Sequence, residues 1–288
     1  MNESPDPVLV VSQAFLKRFG NDCGKRLSDV VAQIGLELIF REAESYEGAL
    51  LRIKDVPRGY IVINSGIREE SRKRFTIAHE CGHFLLPGQQ DLVSPCTKEA
   101  IESWNEQLYR PELDANRFAA EILMPRDSIN SYLRAEPTMD SIRSIAEFCG
   151  TSLTASGFRI IELTSFRAAI VWSQNNKIIW YKASSEFVRW IRKDDLNDQS
   201  FASDCFKHRA IPTKLEPIPA SAWLFDKGLR DGARIWEHSL FLPNYAGVLS
   251  LLVMRESVEA DEDSSSIEES ELDPSEFTLR RKRWPSKR

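Results

Sequence analysis

Residues 72–88 read RKRFTIAHECGHFLLPG, and the reading of this stretch decides the fold around it. Phe75, Ile77, Ala78, Phe84, Leu85 and Leu86 predict a buried helix running from about Glu69 to Leu86, ended by Pro87-Gly88. At about 100° per residue, His79 and His83 stand about 40° apart on one face, close enough to share a metal ion. Two neutral imidazoles at that spacing suit Zn²⁺, and a buried helix carrying two histidines needs a reason to do so. Glu80 sits at the edge of the same face. There a carboxylate can take a proton from an activated water and pass it to a leaving amine. The chain has four histidines in all, so chance pairing at this spacing is a poor explanation. Cys81 projects about 160° away from His83 and reads as a packing cysteine.

A catalytic zinc takes three protein ligands and keeps one position open. Glu112 is the candidate for the third. Pro111 suits the first turn of a helix, and Pro125 stops it after Met124. On that helix Glu112 shares a face with Ala115, Ala119, Ile122 and Leu123, and the two alanines permit a close approach to the first helix. Asp114 lies about 200° away from Glu112, on the side of Glu121, so the two acids cannot face one metal together.

Upstream, Lys25–Leu36 has helical spacing, and Gly48–Ile53 and Gly59–Asn64 read as two strands joined through Asp55, Pro57 and Gly59. Downstream, residues 138–163 read as two helices broken at Gly150, a helix-turn-helix pattern. Its second helix offers a single base, Arg159, where a DNA reader needs several basic and amide side chains. The pair is therefore expected to pack on the preceding domain, and direct nucleic-acid binding is not expected.

After Ser165 the pattern changes. Ala168–Trp172 and Lys177–Tyr181 flank Asn175-Asn176, a hairpin signal. A short helix capped by Ser184 and Ser185 is expected through Phe187, Val188, Trp190 and Ile191, and strands at Ala220–Leu224, Ile235–Phe241 and Gly247–Val253. His208 and His238 lack metal-ligand spacing. Residues 259–276 carry nine acids and residues 280–288 six bases, so this tail nets −3 of the chain's −5 and has almost nothing to bury. The near-neutral body gives no general pull toward nucleic acid. Five scattered cysteines without a CxxC pair, no basic region ahead of the first apolar run, and no apolar run near 20 residues predict a cytoplasmic protein without membrane spans.

The two motifs AHECGHFLLPG and ELDANRFAAEILMP resemble those of the ImmA/IrrE family of bacterial metallopeptidases. The second matches that family's helix at Glu112, Ala115, Asn116, Phe118, Ala119, Ala120, Leu123, Met124 and Pro125; Asp114 stands where members often have Glu. The resemblance covers about residues 25–160. It implies a zincin-like α+β fold with metal ligands His79, His83 and Glu112, and Glu80 as catalytic base. The implied activity is a zinc endopeptidase acting on a protein substrate, often a DNA-binding repressor, in stress response or mobile-element regulation. On this reading residues 1–24 are an N-terminal segment and 25–136 the metallopeptidase domain. Residues 137–164 are the helix pair, 165–256 a second α+β domain and 257–288 the tail. The alternative is a regulatory or antitoxin-like binding protein that keeps the metal site without proteolysis; an intact Glu80 favours the enzyme. Tyr60, Tyr109 and Tyr132 stay open as stabilisers of the hydrolysis intermediate. Cys96 is a weak further ligand, and Gly59–Asn64 is the strand expected to offer its edge to an extended substrate.

Overall fold

Pro7 at the first helical position and Asp6 before it, whose carboxylate accepts from the Val8 amide at 2.9 Å, start a helix that the sequence pattern left unread. This is α1, Pro7–Phe19. It buries Val8 and Phe15, sets Phe15 edge-on to Phe118 with centroids 5.7 Å apart, and is pinned by an Asp6–Arg117 ion pair. The computed structural model describes residues 5–43, 45–53, 56–89, 110–193, 195–225 and 228–255. Tyr109, Cys96 and the charged tail lie outside them.

The expected helix Lys25–Leu36 is shorter. A 3₁₀ turn, Cys23–Arg26, leads into α2, Leu27–Gln33. Gly35, at φ +88°, then turns the chain into β1, Leu36–Arg41. The next strands are β2, Gly48–Arg52, and β3, Gly59–Asn64. β3 pairs parallel with β1 and antiparallel with β2, giving the order β1-β3-β2. β3 is therefore the central strand, which corrects the expectation that it offers a substrate edge. Both of its sides are hydrogen-bonded, and the edge strands are β1 and β2. Buried Ile61, Val62 and Ile63 fit a strand covered on both faces.

Against this sheet lies α3, Glu70–Leu85, and across it α4, Arg110–Leu123. A Cβ added to Gly82 would stand 3.0 Å from the Ala115 Cα, so the missing side chain sets how closely the two helices cross. Next come α5, Arg126–Leu133, then α6, Met139–Cys149, and α7, Leu153–Leu163. Thr138 and Ser141 form a capping box at the start of α6, and Gly150 ends it at φ +64°.

The chain continues into an antiparallel sheet of order β5-β4-β8-β7-β6. Its strands are β4 Ala168–Gln174, β5 Lys177–Ala183, β6 Glu216–Pro219, β7 Arg234–Leu242 and β8 Gly247–Val253. Asn175 and Asn176, both at positive φ, make the expected β4–β5 turn. Two expectations fail here. Phe187–Ile191 is not helical: the Ser184 hydroxyl donates to the Phe166 carbonyl and accepts from the Ala168 amide instead of capping a helix. Ala220–Leu224 is not a strand: Ala220–Ala222 is a 3₁₀ turn following β6, and Leu224 makes an isolated antiparallel bridge to Ile191. A further helix, α8, Phe201–Phe206, docks through its N-terminus onto buried Glu237. That carboxylate receives the Phe201 and Ala202 amides, Trp223 Nε1 and the Ser239 hydroxyl at 2.6–3.1 Å.

One face of this second sheet shares a core with the rest. Ile170, Trp172, Leu249, Leu251 and Val253 belong to the same buried cluster as Ile142, Ile145 and Ile160 of the helix pair and Phe118 of α4. Gly157 on α7 lets Ile170 come close, since a Cβ built there would stand 3.3 Å from the isoleucine side chain, tighter than ordinary contact. The helix pair thus packs on the second sheet and shares its core with α4. The α+β class stands.

Candidate metal centre

Three side chains from two helices converge where α3 crosses α4. His79 Nε2 and His83 Nε2 are 3.0 Å apart, and the Glu112 oxygens lie 3.2 Å from the first and 3.4 Å from the second. These atoms form a group able to hold a metal ion, all within 4.8 Å of one another. The fit to zinc can be tested by distance. Ligands about 2.0–2.1 Å from a tetrahedral zinc are separated from each other by about 3.3 Å, and the three observed separations bracket that value. His79 is fully buried and His83 nearly so, while Glu112 keeps a fraction of its surface in contact with solvent.

The far sides of the rings strengthen the case. His79 Nδ1 lies 2.8 Å from Asn116 Oδ1, and His83 Nδ1 lies 2.6 Å from Gln89 Oε1. A carbonyl oxygen accepts only, so each Nδ1 is a donor. In the neutral ring this fixes the proton on Nδ1 and directs the Nε2 lone pair at the shared point, the tautomer a metal ligand requires. Neither partner was identified from the sequence. Asn116 was legible in principle, one helical turn after Glu112 on the face toward His79. Gln89 gave no signal, because it reaches His83 through the turn at Pro87-Gly88.

Electrostatics agree with an assembled site. Burial alone would raise the Glu112 carboxyl, but hydrogen bonds and charge from His79 and His83 outweigh it and hold the group far below the usual carboxylate range. Burial works against charge on His83 as well. The Glu112 hydrogen bond and the Glu80 and Glu112 charges reverse that and leave it above its ordinary value.

Glu80 is fully buried, and its Oε1 lies against β2. A Cβ on Gly48 would sit 2.8 Å from that oxygen and 2.4 Å from Thr76 Cγ2. Two more links tie β2 and the residue before it to α3. Arg72 Nε donates to Glu47 Oε2 at 2.7 Å, and Arg52 donates to the His83 carbonyl while lying 4.9 Å over the Phe84 ring. The edge strand nearest the site is therefore β2.

The remaining sequence candidates are placed away from this centre or in packing roles. Asp114 pairs with Arg110 at 3.1 Å and Arg117 at 3.6 Å. Cys81 is buried in the core. Tyr132 packs partly buried against that core, and Tyr60 is partly buried in β3. His208 is exposed and His238 is buried in β7. Among the described residues, no helix is long and apolar enough to cross a membrane.

Residues 31–160 match the IrrE N-terminal-like domain of the Peptidase_M78 family. The chain is 35% identical over 132 residues to the radiation response metalloprotease IrrE of Deinococcus deserti, covering 46% of this chain and 44% of the relative. It is 34% identical over 131 residues to the protein of the same name from Deinococcus radiodurans, covering 45% and 38%. An uncharacterized immunity region protein of Bacillus phage phi105 is 36% identical over 83 residues, covering 29% and 49%. The chain thus spans less than half the length of the curated relatives it matches. A solved structure of a Mycobacterium tuberculosis transcriptional regulator aligns with TM-score 0.50 over 87% of this chain and 88% of that one. At 14% identity this is a likeness of fold alone, and it extends through the second sheet.

Proposed function

Because residues 31–160 belong to the IrrE N-terminal-like domain family, we propose that the protein is a zinc-dependent endopeptidase, with His79, His83 and Glu112 as metal ligands and Glu80 as catalytic base. The observation that carries this reading is the convergence of three ligand atoms at 3.0–3.4 Å with both outer histidine nitrogens held by amide oxygens. When bound, the ion supplies Lewis acidity and lowers the pKa of a water in the open position. The chain's own residues do the rest. Asn116 and Gln89 keep the imidazoles oriented. Glu80, beside the two histidines on the same helix, takes the proton from the attacking water and returns it to the leaving amine. The edge of β2, which carries Gly48 against Glu80, takes an extended peptide by strand addition.

The substrate on this reading is a specific cytoplasmic protein, of the class of DNA-binding repressors, in stress response or mobile-element regulation. The names of the relatives, a radiation response metalloprotease and a phage immunity region protein, support that direction. The test uses Glu80→Gln, which keeps the ligands but cannot accept the proton. The wild type should hold about one zinc per chain. The variant should hold the same zinc and capture from cell extract a protein that the wild type cuts. A wild type that stays metal-free after zinc supplementation, or a variant that cuts at the wild-type rate, overturns the proposal.

A further inference from the structure

The geometry points to Gln89 as a positioning residue that sets the metal affinity of the site by joining the end of α3 to the start of α4. This rests on the zinc reading above and adds a residue outside the ligand set. Gln89 is 4% exposed, so its carboxamide must be satisfied by protein, and both of its ends are. Its Oε1 accepts from His83 Nδ1 at 2.6 Å, and its Nε2 donates to the Pro111 carbonyl at 3.4 Å. One side chain therefore touches a histidine of the first helix and the backbone immediately before Glu112 on the second.

Local structure explains how a residue six positions beyond His83 comes back to it. The α3 helix closes with the Leu86 amide on the Gly82 carbonyl at 2.9 Å, and Leu86 leaves it in extended geometry. Pro87 cannot continue the helix. Gly88 at φ +76° then reverses the chain, a conformation that costs other residues energy. Gln89 emerges pointing back under the last turn. His79 needs no such device, since Asn116 sits on α4 itself. Gln89 holds His83, in the last turn of the helix, both in tautomer and in distance from Glu112.

The experiment compares full-length wild type, Gln89→Leu and Gln89→Glu by zinc competition against a chromogenic chelator, by the visible absorption of Co²⁺-loaded protein, and by thermal melting of the chelated proteins. Gln89→Leu removes the acceptor, and zinc affinity should fall about 10–100-fold with a weakened cobalt spectrum. Gln89→Glu keeps an acceptor for Nδ1–H but loses the donor to the Pro111 carbonyl, so its zinc affinity should fall by less than about tenfold, short of the loss in Gln89→Leu. Equal zinc affinity in wild type and Gln89→Leu overturns the inference while leaving the metal site intact. So does a loss in Gln89→Glu as large as in Gln89→Leu, which also decides the matter if the leucine variant melts early. Absence of zinc binding by the wild type overturns the metal reading itself and this inference with it.

Discussion

Arg159 on α7 places Nη2 2.7 Å from Glu121 on α4, and its Nη1 lies 2.8 Å from Glu162. Its Nε donates to the Met124 carbonyl at 3.2 Å, and the residue is 2% exposed. The single base on the helix with a recognition-like position therefore faces inward and bolts the helix pair to α4. Arg159→Leu leaves two carboxylates without their cation. Removing one partner of a buried pair costs about 3–5 kcal/mol, and the low end applies because Glu121 and Glu162 keep partial contact with water. Denaturant melts should show a destabilisation of about 3 kcal/mol. Affinity for duplex DNA should not change. A variant of wild-type stability, or one that loses a specific DNA complex, contradicts the assigned role.

Gly48 tests the seat of the proposed catalytic base, Glu80. An alanine Cβ there meets Thr76 Cγ2 at 2.4 Å and Glu80 Oε1 at 2.8 Å, so one of the two must move. Gly48→Ala should leave zinc content unchanged, since the atoms nearest the new methyl belong to Thr76 and Glu80 and not to a proposed ligand. Peptidase kcat/KM should fall about 10–100-fold, the scale of a misplaced catalytic group. Adding Thr76→Ser removes the Cγ2 methyl and should restore part of the loss. A Gly48→Ala variant of wild-type kcat/KM, or full rescue by the double variant, would show that the new methyl does not displace Glu80.

The candidate metal site and its helices were readable because their residues repeat at helical spacing. His79 and His83 repeat at one turn, and Glu112, Ala115 and Ala119 continue that logic on a helix bracketed by Pro111 and Pro125. What was not readable depends on contacts far apart in sequence. Leu36 continues the apolar spacing of α2, and only Gly35 at φ +88° makes it a strand. Strand order is absent from local pattern, so β3 was given the edge that belongs to β2. The apolar Ala220–Leu224 segment buries Ala220, Ala222, Trp223 and Leu224 with a single bridge, Leu224 to Ile191, so its hydrophobicity marks burial rather than a strand. Likewise α1 shows its purpose only once Arg117 and Phe118 are in place to receive Asp6 and Phe15.

The pH dependence of metal binding follows from the two opposed shifts. Glu112 is depressed, so its stabilising interaction exists above the usual carboxylate value of about 4.3 and is lost as pH falls. His83 is raised, so its share is complete below about 6.5 and is lost as pH rises through its folded value. Both describe one ion pair in the metal-free protein, present between those limits. Zinc must displace the His83 proton. Its affinity should therefore climb with pH by up to about tenfold per unit, and level off once His83 is neutral. Chelator competition at several pH values around and above neutrality measures the slope. A flat profile would mean that His83 enters the reaction already deprotonated.

Glu112 and Asp114 give the sharpest separation within one turn of helix. Both are acids at the start of α4, and each loses a similar dipole interaction of about 0.3–1 kcal/mol when neutralised. Their surroundings differ in kind. Glu112 has one oxygen 3.2 Å from His79 Nε2 and the other 3.4 Å from His83 Nε2. Asp114 turns the other way, to Arg110 at 3.1 Å and Arg117 at 3.6 Å. Arg110 is largely exposed and Arg117 already has Asp6 as a partner, so the Asp114 pairs are of the weak, screened kind. Glu112→Gln puts a neutral amide where a metal needs a charged oxygen, and zinc binding and peptidase activity should both be lost. Asp114→Asn should keep zinc affinity within about threefold and lower stability by less than about 1 kcal/mol. The same chelator titration reads both variants against wild type. If Asp114→Asn sheds zinc while Glu112→Gln retains it, the third ligand is not the one that faces His79 and His83.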